Sequence, residues 1–222
     1  MNVVYVGLLA ALGLLMFGKY QRDAKRKTLS RSSVFDDCQT LLQNAQISQD
    51  KANLPVLHGS YGGYQVALSV VEDTLGWRKL PPLWLLVKVV ANKTTVGSLD
   101  FVVRPANNEF YSPSWQWDGN LSIPPTWPQH AIIKYLHKPI DISLLEQYVP
   151  ALFADLKMKE LLVMPNFVRL TYMAKQADRG EYLIMRNAVY SETPIEKKLV
   201  ENLLKQAIAI RQTLEQTIEN QT

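Results

Sequence analysis

The sequence predicts an α+β protein in which an N-terminal transmembrane helix is followed by antiparallel hairpins with covering helices. Residues 2–17 are dominated by apolar side chains, which is typical of a membrane-embedded helix. Short apolar runs separated by glycine and proline turns then indicate strands. The last stretch, residues 194–218, repeats apolar side chains at helical spacing. With 47% hydrophobic and 20% charged residues, the chain beyond the anchor can bury a core.

The predicted transmembrane anchor covers residues 1–18, and a basic juxtamembrane linker covers residues 19–31. The linker holds six cations, which we assign to the membrane flank: Lys19, Arg22, Lys25, Arg26, Lys27 and Arg31. Cytoplasmic flanks carry such an excess of Lys and Arg, so we expect a single-pass protein whose C-terminal part lies in the cytoplasm. A cleaved signal peptide would need positive charge before the apolar run and a small-residue cleavage site after it, and the sequence has neither. The span is short, because about 20 residues are usual.

The net positive charge of the chain comes from that flank. The whole chain has 24 Lys and Arg against 20 Asp and Glu. Without residues 18–31, the remainder carries 18 basic and 19 acidic side chains. We therefore expect the flank to attract anionic lipid head groups. We expect no nucleic-acid partner, since no basic stripe interleaved with aromatic residues follows.

No motif in the sequence predicts catalysis or cofactor binding. Cys38 is the single cysteine, which excludes an intramolecular disulfide and fits a reducing cytoplasm; its spacing from apolar neighbours predicts a buried thiol. The histidines His58, His130 and His137 lack the spacing of a helical zinc motif. A phosphate-binding loop and a dinucleotide fingerprint are also absent. We predict no catalytic, metal or cofactor residue, and an enzyme of unknown reaction stays open as an alternative.

The first half of the chain beyond the linker is predicted to form a helix and two hairpins. Apolar residues at helical spacing, with acidic residues in the first turn, indicate a helix over residues 33–46. Gly62 and Gly63 separate two alternating runs, which predicts a hairpin over residues 56–70. Two further apolar runs joined by a turn predict another hairpin over residues 83–103.

The second half is predicted to add two helices around a third hairpin. Ser143 and Glu146 fit a capping box that opens a helix over residues 143–158. Residues 160–186 have the pattern of a hairpin extended by a third strand. Residues 194–218 begin with proline at the first helical position, and we favour a helix that covers a sheet over a coiled-coil handle.

The domain organisation beyond the linker is left open by the sequence. Residues 32–222 are long enough for one domain or for two small lobes with a boundary near residues 105–140. Hairpins on both sides of that boundary fit either one curved sheet or two separate sheets.

The loop of residues 104–130, called the aromatic loop below, combines five prolines with five aromatic side chains. The aromatic residues are Phe110, Tyr111, Trp115, Trp117 and Trp127. A long loop with this much apolar surface either packs over a core or contacts a partner. Because tryptophan is enriched in interaction hot spots, these five residues are the candidate partner-binding site.

Two short strings in the sequence resemble a family of proteins. Gly59 with Tyr61-Gly62-Gly63 matches a G-x-Y-x-G string, and residues 73–85 match D-T-L-x-x-R-K-L-P-x-L-W-L. Together with residues 181–186, they are similar to strings in uncharacterised, singly anchored bacterial proteins. The resemblance implies a location at the bacterial inner membrane, and it brings no catalytic residues to this chain.

These observations favour a binding role over an enzymatic one. We expect a membrane-anchored, non-catalytic accessory or scaffold protein that binds an integral membrane protein or complex at the cytoplasmic face. The anchor would raise the effective concentration of the domain near such partners. A lipid-binding domain at the membrane surface and a small membrane-tethered enzyme are the alternatives.

Overall fold

A computed structural model describes residues 3–75, 80–107 and 109–219, and it forms one antiparallel sheet of nine strands. The strands are β1 Gln43–Gln49, β2 Pro55–Tyr61, β3 Tyr64–Glu72, β4 Pro82–Val90, β5 Leu99–Val103, β6 Gly119–Asn120, β7 Ala131–Tyr135, β8 Met158–Met164 and β9 Phe167–Gln176. Their order across the sheet is β1-β2-β3-β4-β9-β8-β5-β7-β6. Strands on both sides of the aromatic loop therefore belong to the same sheet.

The helices are α1 Val3–Ser32, α2 Val149–Leu152, α3 Arg179–Met185 and α4 Lys197–Glu219. Short 3-10 helices cover Asp36–Leu41, Pro113–Gln116 and Ile142–Leu145. Helix α4 packs on strands β4 and β9 and covers one face of the sheet. Its apolar stripe, which includes Leu203, Ala207 and Ile210, joins the inward residues of the strands in the main core. The predicted C-terminal helix and its role as a cover are confirmed.

The opposite face of the sheet carries a second, smaller buried layer. Leu86, Val102 and Leu162 are buried there outside the main core. Side chains alternate between faces along a strand, so Asp100 on β5 and Glu160 on β8 point to this same second face. The part of the aromatic loop around Tyr111 and Ser112 lies over this layer, whereas Trp127 packs in the main core. The candidate site is built between this part of the loop and the second layer.

The predicted transmembrane helix is not supported. Among the residues that the structure describes, no helix is both long and apolar enough to cross a membrane. The apolar run contributes fifteen residues to α1, which is about 22 Å of helix against a hydrocarbon core of about 30 Å. On this criterion the α+β class with a transmembrane helix is wrong, as are the single-pass assignment and the inner-membrane location. The predicted boundary between anchor and linker falls inside α1, which continues through residues 19–31 to Ser32.

Two predicted hairpins are confirmed, and the third pairs differently. Strands β2 and β3 pair across Gly62 and Gly63, whose φ angles are 57° and 81°. Strands β8 and β9 pair across the turn at residues 165–166. The runs predicted to pair over residues 83–103 do form β4 and β5, but β4 pairs with β3 and β9, whereas β5 pairs with β7 and β8. The β8–β9 hairpin lies between them, because an apolar run does not specify its partner.

Three predicted local elements are also corrected. The helix over residues 33–46 is a short 3-10 helix followed by β1, because Asn44 adopts a φ of 53° and the chain then pairs with β2. Instead of one helix over residues 143–158, the chain forms the 3-10 helix Ile142–Leu145 and the single turn of α2, Val149–Leu152. The third strand near residues 181–186 is helix α3, which Asp178 caps by accepting a hydrogen bond from the Glu181 amide at 2.8 Å.

Candidate partner-binding groove

The aromatic loop separates its five aromatic side chains into buried and exposed groups. Trp117 and Trp127 are only 5% and 2% exposed, and Trp127 packs edge-on against Phe101 with a centroid distance of 5.0 Å. Phe110 and Trp115 are 50% and 69% exposed. Tyr111 is half-buried against Trp84. Buried side chains cannot contact a partner without unfolding, so Phe110 and Trp115 remain as the candidate contact residues.

A groove of about 610 Å³ lies beside the exposed part of the loop. Leu75, which is 57% exposed, lines it together with Phe110 and Trp115. Its polar lining includes Ser112, Ser114 and Lys134. Binding sites commonly combine apolar walls with a few polar groups at volumes of about 300–1,000 Å³. The groove therefore has the size and composition of a binding site.

A buried ion pair lies under the loop on the second face of the sheet. Arg169 on β9 donates from one terminal nitrogen to both carboxylate oxygens of Glu160, at 3.0 Å each, and from Nε to Oε2 at 3.3 Å. The Thr171 hydroxyl also donates to Oε2. Glu160 is fully buried, so its charge depends on this arginine and this hydroxyl.

A second buried carboxyl group, that of Asp100, lies near this pair. It is fully buried, and its Oδ2 accepts a hydrogen bond from the Ser112 hydroxyl. Its Oδ1 has no hydrogen-bond partner among the described residues. Burial and then the negative charge of Glu160 raise the pKa of Asp100 to about 8. The carboxyl group of Asp100 is therefore largely protonated at neutral pH.

These buried polar groups attach the aromatic loop to the sheet at three points. Arg169 donates to the Tyr111 carbonyl at 2.9 Å. Ser112 contacts Asp100, and its hydroxyl also lies 2.9 Å from that of Ser114. The Lys159 ammonium pairs with Glu109 at 2.8 Å. These attachments lie on both sides of Phe110 and directly before Trp115, so they set the position of the groove wall.

The two buried carboxyl groups do not line the groove. They do not line the second groove either, which has a volume of about 360 Å³ and lies beside Tyr111 and Trp84. Asp100 and Glu160 thus lie behind the loop, where they contact protein groups. Their placement suits a role in positioning the loop.

The sequence contained only a weak signal for this buried cluster. Asp100 is the single charged residue in the strand Leu99–Val103, and Glu160 precedes three apolar residues. A lone charge in a short apolar strand indicates a buried polar contact, but the two residues are 60 positions apart in the chain. Their proximity depends on the pairing of β5 with β8, which local patterns do not specify.

The membrane-flank candidates whose side chains are described do not line the groove. Lys19 forms an ion pair with Glu181 at 3.4 Å, and Arg22 is exposed. The side chains of Lys25, Arg26, Lys27 and Arg31 fall outside the part of the structure that is described. Cys38 is buried and donates to the Ile195 carbonyl at 3.4 Å, and burial raises the pKa of its thiol to about 11. Across the described ranges, no group of three His, Cys, Asp or Glu side chains is placed to bind a metal ion.

No protein-family model, curated protein or solved structure matches this chain. The function is therefore inferred from the groove and from the residues that build it.

Proposed function

We propose that the protein is a non-catalytic accessory or scaffold protein that binds a partner protein in the groove beside the aromatic loop. The observation that carries this proposal is the convergence of three exposed apolar side chains, Leu75, Phe110 and Trp115, on one groove. Exposed apolar surface is costly in water, and clustered aromatic residues commonly mark interaction sites. A protein segment with an apolar side chain would cover all three at once.

The attachment of the loop supports the same proposal. The ordering cost of a flexible loop is subtracted from its binding free energy. Here the Tyr111 and Ser112 contacts hold the backbone between Phe110 and Trp115 against the sheet before any partner binds. A partner would meet a groove wall whose backbone is already positioned.

The partner classes expected from the sequence, an integral membrane protein or complex and anionic lipid head groups, stay predictions. The polar lining of the groove indicates which chemical group of a partner would bind there. Among the described lining residues, Lys134 supplies an ammonium, which donates one hydrogen bond to the Trp117 carbonyl at 3.1 Å and has further N–H groups. A segment that places an acceptor beside its apolar side chain suits this lining.

Photo-crosslinking in cells of the natural host tests the proposal. Benzoylphenylalanine replaces Trp115 in one variant and Leu183 in the control; Leu183 is a similarly exposed apolar residue on α3 that does not line the groove. We expect a discrete protein adduct from position 115 and none from position 183. The purified adduct partner should then bind the unmodified chain, and Trp115→Ala should weaken that binding at least about tenfold, or about 1.4 kcal/mol.

Equal adducts from both positions, or an identified partner whose affinity is unchanged by Trp115→Ala and Phe110→Ala, would overturn the proposal. The melting temperature of each variant is the folding control. Because both side chains are exposed, it should stay close to that of the unmodified chain.

A further inference from the structure

Within the described residues, the buried cluster under the aromatic loop contains two carboxyl groups, and one cation, Arg169, forms an ion pair with either of them. Asp100 and Glu160 lie on the neighbouring strands β5 and β8 and point to the same face. Arg169 forms its ion pair with Glu160. Asp100 is contacted by the hydroxyls of Ser112 and Ser114, and its Oδ1 has no hydrogen-bond partner within the described chain. An ionised Asp100 would therefore be a buried negative charge without an ion pair.

The charged groups on the surrounding elements have other partners. Lys134 on β7 lies directly across from Asp100 in the strand register, but its ammonium donates to the Trp117 carbonyl. Lys159 at the start of β8 pairs with Glu109 from the loop. The loop also places Tyr111 near the cluster, and burial, followed by the charge of Glu160, raises the pKa of its phenol. The phenol of Tyr111 is therefore neutral and adds no charge to the cluster.

Ionisation of Asp100 requires water or a cation to reach its carboxylate, because an unpaired buried charge is strongly unfavourable. The residues that cover Asp100 from the loop side are Ser112 and Ser114, which also line the groove. Solvation of Asp100 therefore requires this part of the loop to leave the sheet.

We propose that Asp100 is a proton-dependent anchor of the aromatic loop, so that its ionisation releases residues 109–115 from the sheet and removes the groove wall. Protonated Asp100 keeps the loop attached and the groove formed. The consequence for partner binding rests on the proposed function, whereas the loop movement does not depend on any partner.

The direction of the pH effect follows from the two states of the loop. With the loop attached, the pKa of Asp100 is about 8, raised by burial and then by Glu160. With the loop released, an exposed aspartate has a pKa of about 4. Between these values the attached state holds a proton that the released state loses, so the free energy of loop opening falls as the pH rises. Attachment is strongest below about pH 4 and reaches its weakest level at about pH 8.

Hydrogen exchange of the full chain, followed by mass spectrometry, tests this proposal. The protection factor of residues 105–117 is measured from about pH 5 to about pH 8, a window set by the two pKa values, after correction for the intrinsic exchange rate. The β2–β3 hairpin serves as the internal reference, since it lies at the other side of the sheet. We expect loop protection to fall more than tenfold across this range in the unmodified chain, while the hairpin changes less.

Two variants separate Asp100 from other titrating groups. Asp100→Asn keeps the size of the side chain and removes its charge, so its loop protection should be independent of pH. Asp118→Asn alters an exposed carboxylate of the same loop and should keep the response of the unmodified chain. Parallel pH responses in the unmodified chain and in Asp100→Asn would overturn the proposal.

If Asp100→Asn does not fold, infrared spectroscopy of the unmodified chain with labelled aspartate tests the protonation of Asp100 directly. A carboxylic-acid carbonyl band should be present at neutral pH and should disappear together with loop protection as the pH rises. Absence of that band at neutral pH would overturn the proposal. Neither measurement contains a partner, so a negative result for loop release leaves the partner-binding proposal intact. A negative crosslinking result likewise leaves the proposed loop anchor intact.

Discussion

Arg211 and Glu215 form an ion pair one turn apart on α4, with 2.9 Å between Nε of Arg211 and Oε1 of Glu215. Arg211 is fully buried and also donates to the carbonyls of Met164 and Pro165, at 3.3 and 3.1 Å. Glu215 accepts from the Asn92 amide at 3.0 Å. The pair therefore joins the covering helix to the turn after β4 and to the turn between β8 and β9.

We predict that Arg211→Met destabilises the fold by about 3–5 kcal/mol, because it removes the cation paired with the carboxylate of Glu215 and one donor to each of two turn carbonyls. Urea unfolding of the two chains provides the measurement. Lys205→Met is the matched control, since Lys205 forms an exposed pair with Glu201 at the same helical spacing. It should leave the unfolding midpoint nearly unchanged; a similar loss in both variants would show that the turn contacts of Arg211 contribute little.

Two tryptophan substitutions in the aromatic loop should change the unfolding free energy by very different amounts. Trp127→Ala removes a side chain packed on Phe101 and should cost about 3–5 kcal/mol of unfolding free energy. Trp115→Ala removes an exposed side chain and should leave that free energy within about 0.5 kcal/mol. Thermal unfolding of both variants is the measurement. A large loss for Trp115→Ala would mean that this side chain stabilises the fold, which would remove it from the proposed contact surface.

The buried pair of Arg169 and Glu160 should show strong coupling in a double-mutant cycle. Arg169→Met alone leaves a buried carboxylate without its cation and should cost about 3–5 kcal/mol. Adding Glu160→Gln removes that charge and should recover a substantial part of the loss. Chemical unfolding of the two single variants and the double variant measures the coupling. Additive losses would contradict the assignment of Arg169 as the counter-ion of Glu160.

Asp100 should give the whole fold a pH-dependent stability of defined sign. Its pKa is raised from 3.8 to about 8 in the fold by burial and then by Glu160, so the native state holds a proton that the unfolded state releases between these values. The contribution is fully present below about pH 4 and is lost as the pH rises to about 8. The unfolding free energy of the unmodified chain, measured relative to that of Asp100→Asn, should therefore fall across this range. A relative stability that rises with pH would contradict this sign.

Local patterns were sufficient for several elements of the fold. Gly62 and Gly63 adopt positive φ angles in the turn predicted from them. The apolar stripe near the C-terminus forms α4, which begins at Lys197 rather than at Pro194. These predictions succeed because turn conformation and helical periodicity depend on residues within a few positions of each other. The same reasoning failed for residues 33–46, where pairing with β2 outweighs helical spacing.

The candidate site was predicted only in outline. The composition of the loop identified its five aromatic residues. It did not predict which of them are buried, Trp117 and Trp127, and which are exposed, Phe110 and Trp115. Burial depends on which strands lie beneath the loop. Asp100, which positions the loop, is one charge within an apolar strand, and Glu160 follows Lys159 at the start of another.

By itself, the sequence determined strands β2 to β5, β8 and β9, the turn at the two glycines, the C-terminal helix and the presence of an aromatic loop. Tertiary structure alone decided that β5 pairs with β8 instead of β4, and it thereby placed Asp100 beside Glu160 under Ser112. The physical reason is the range of the interactions. Backbone preferences act within a few residues, whereas strand pairing, burial and the charge balance of a buried cluster join residues that are 60 positions apart.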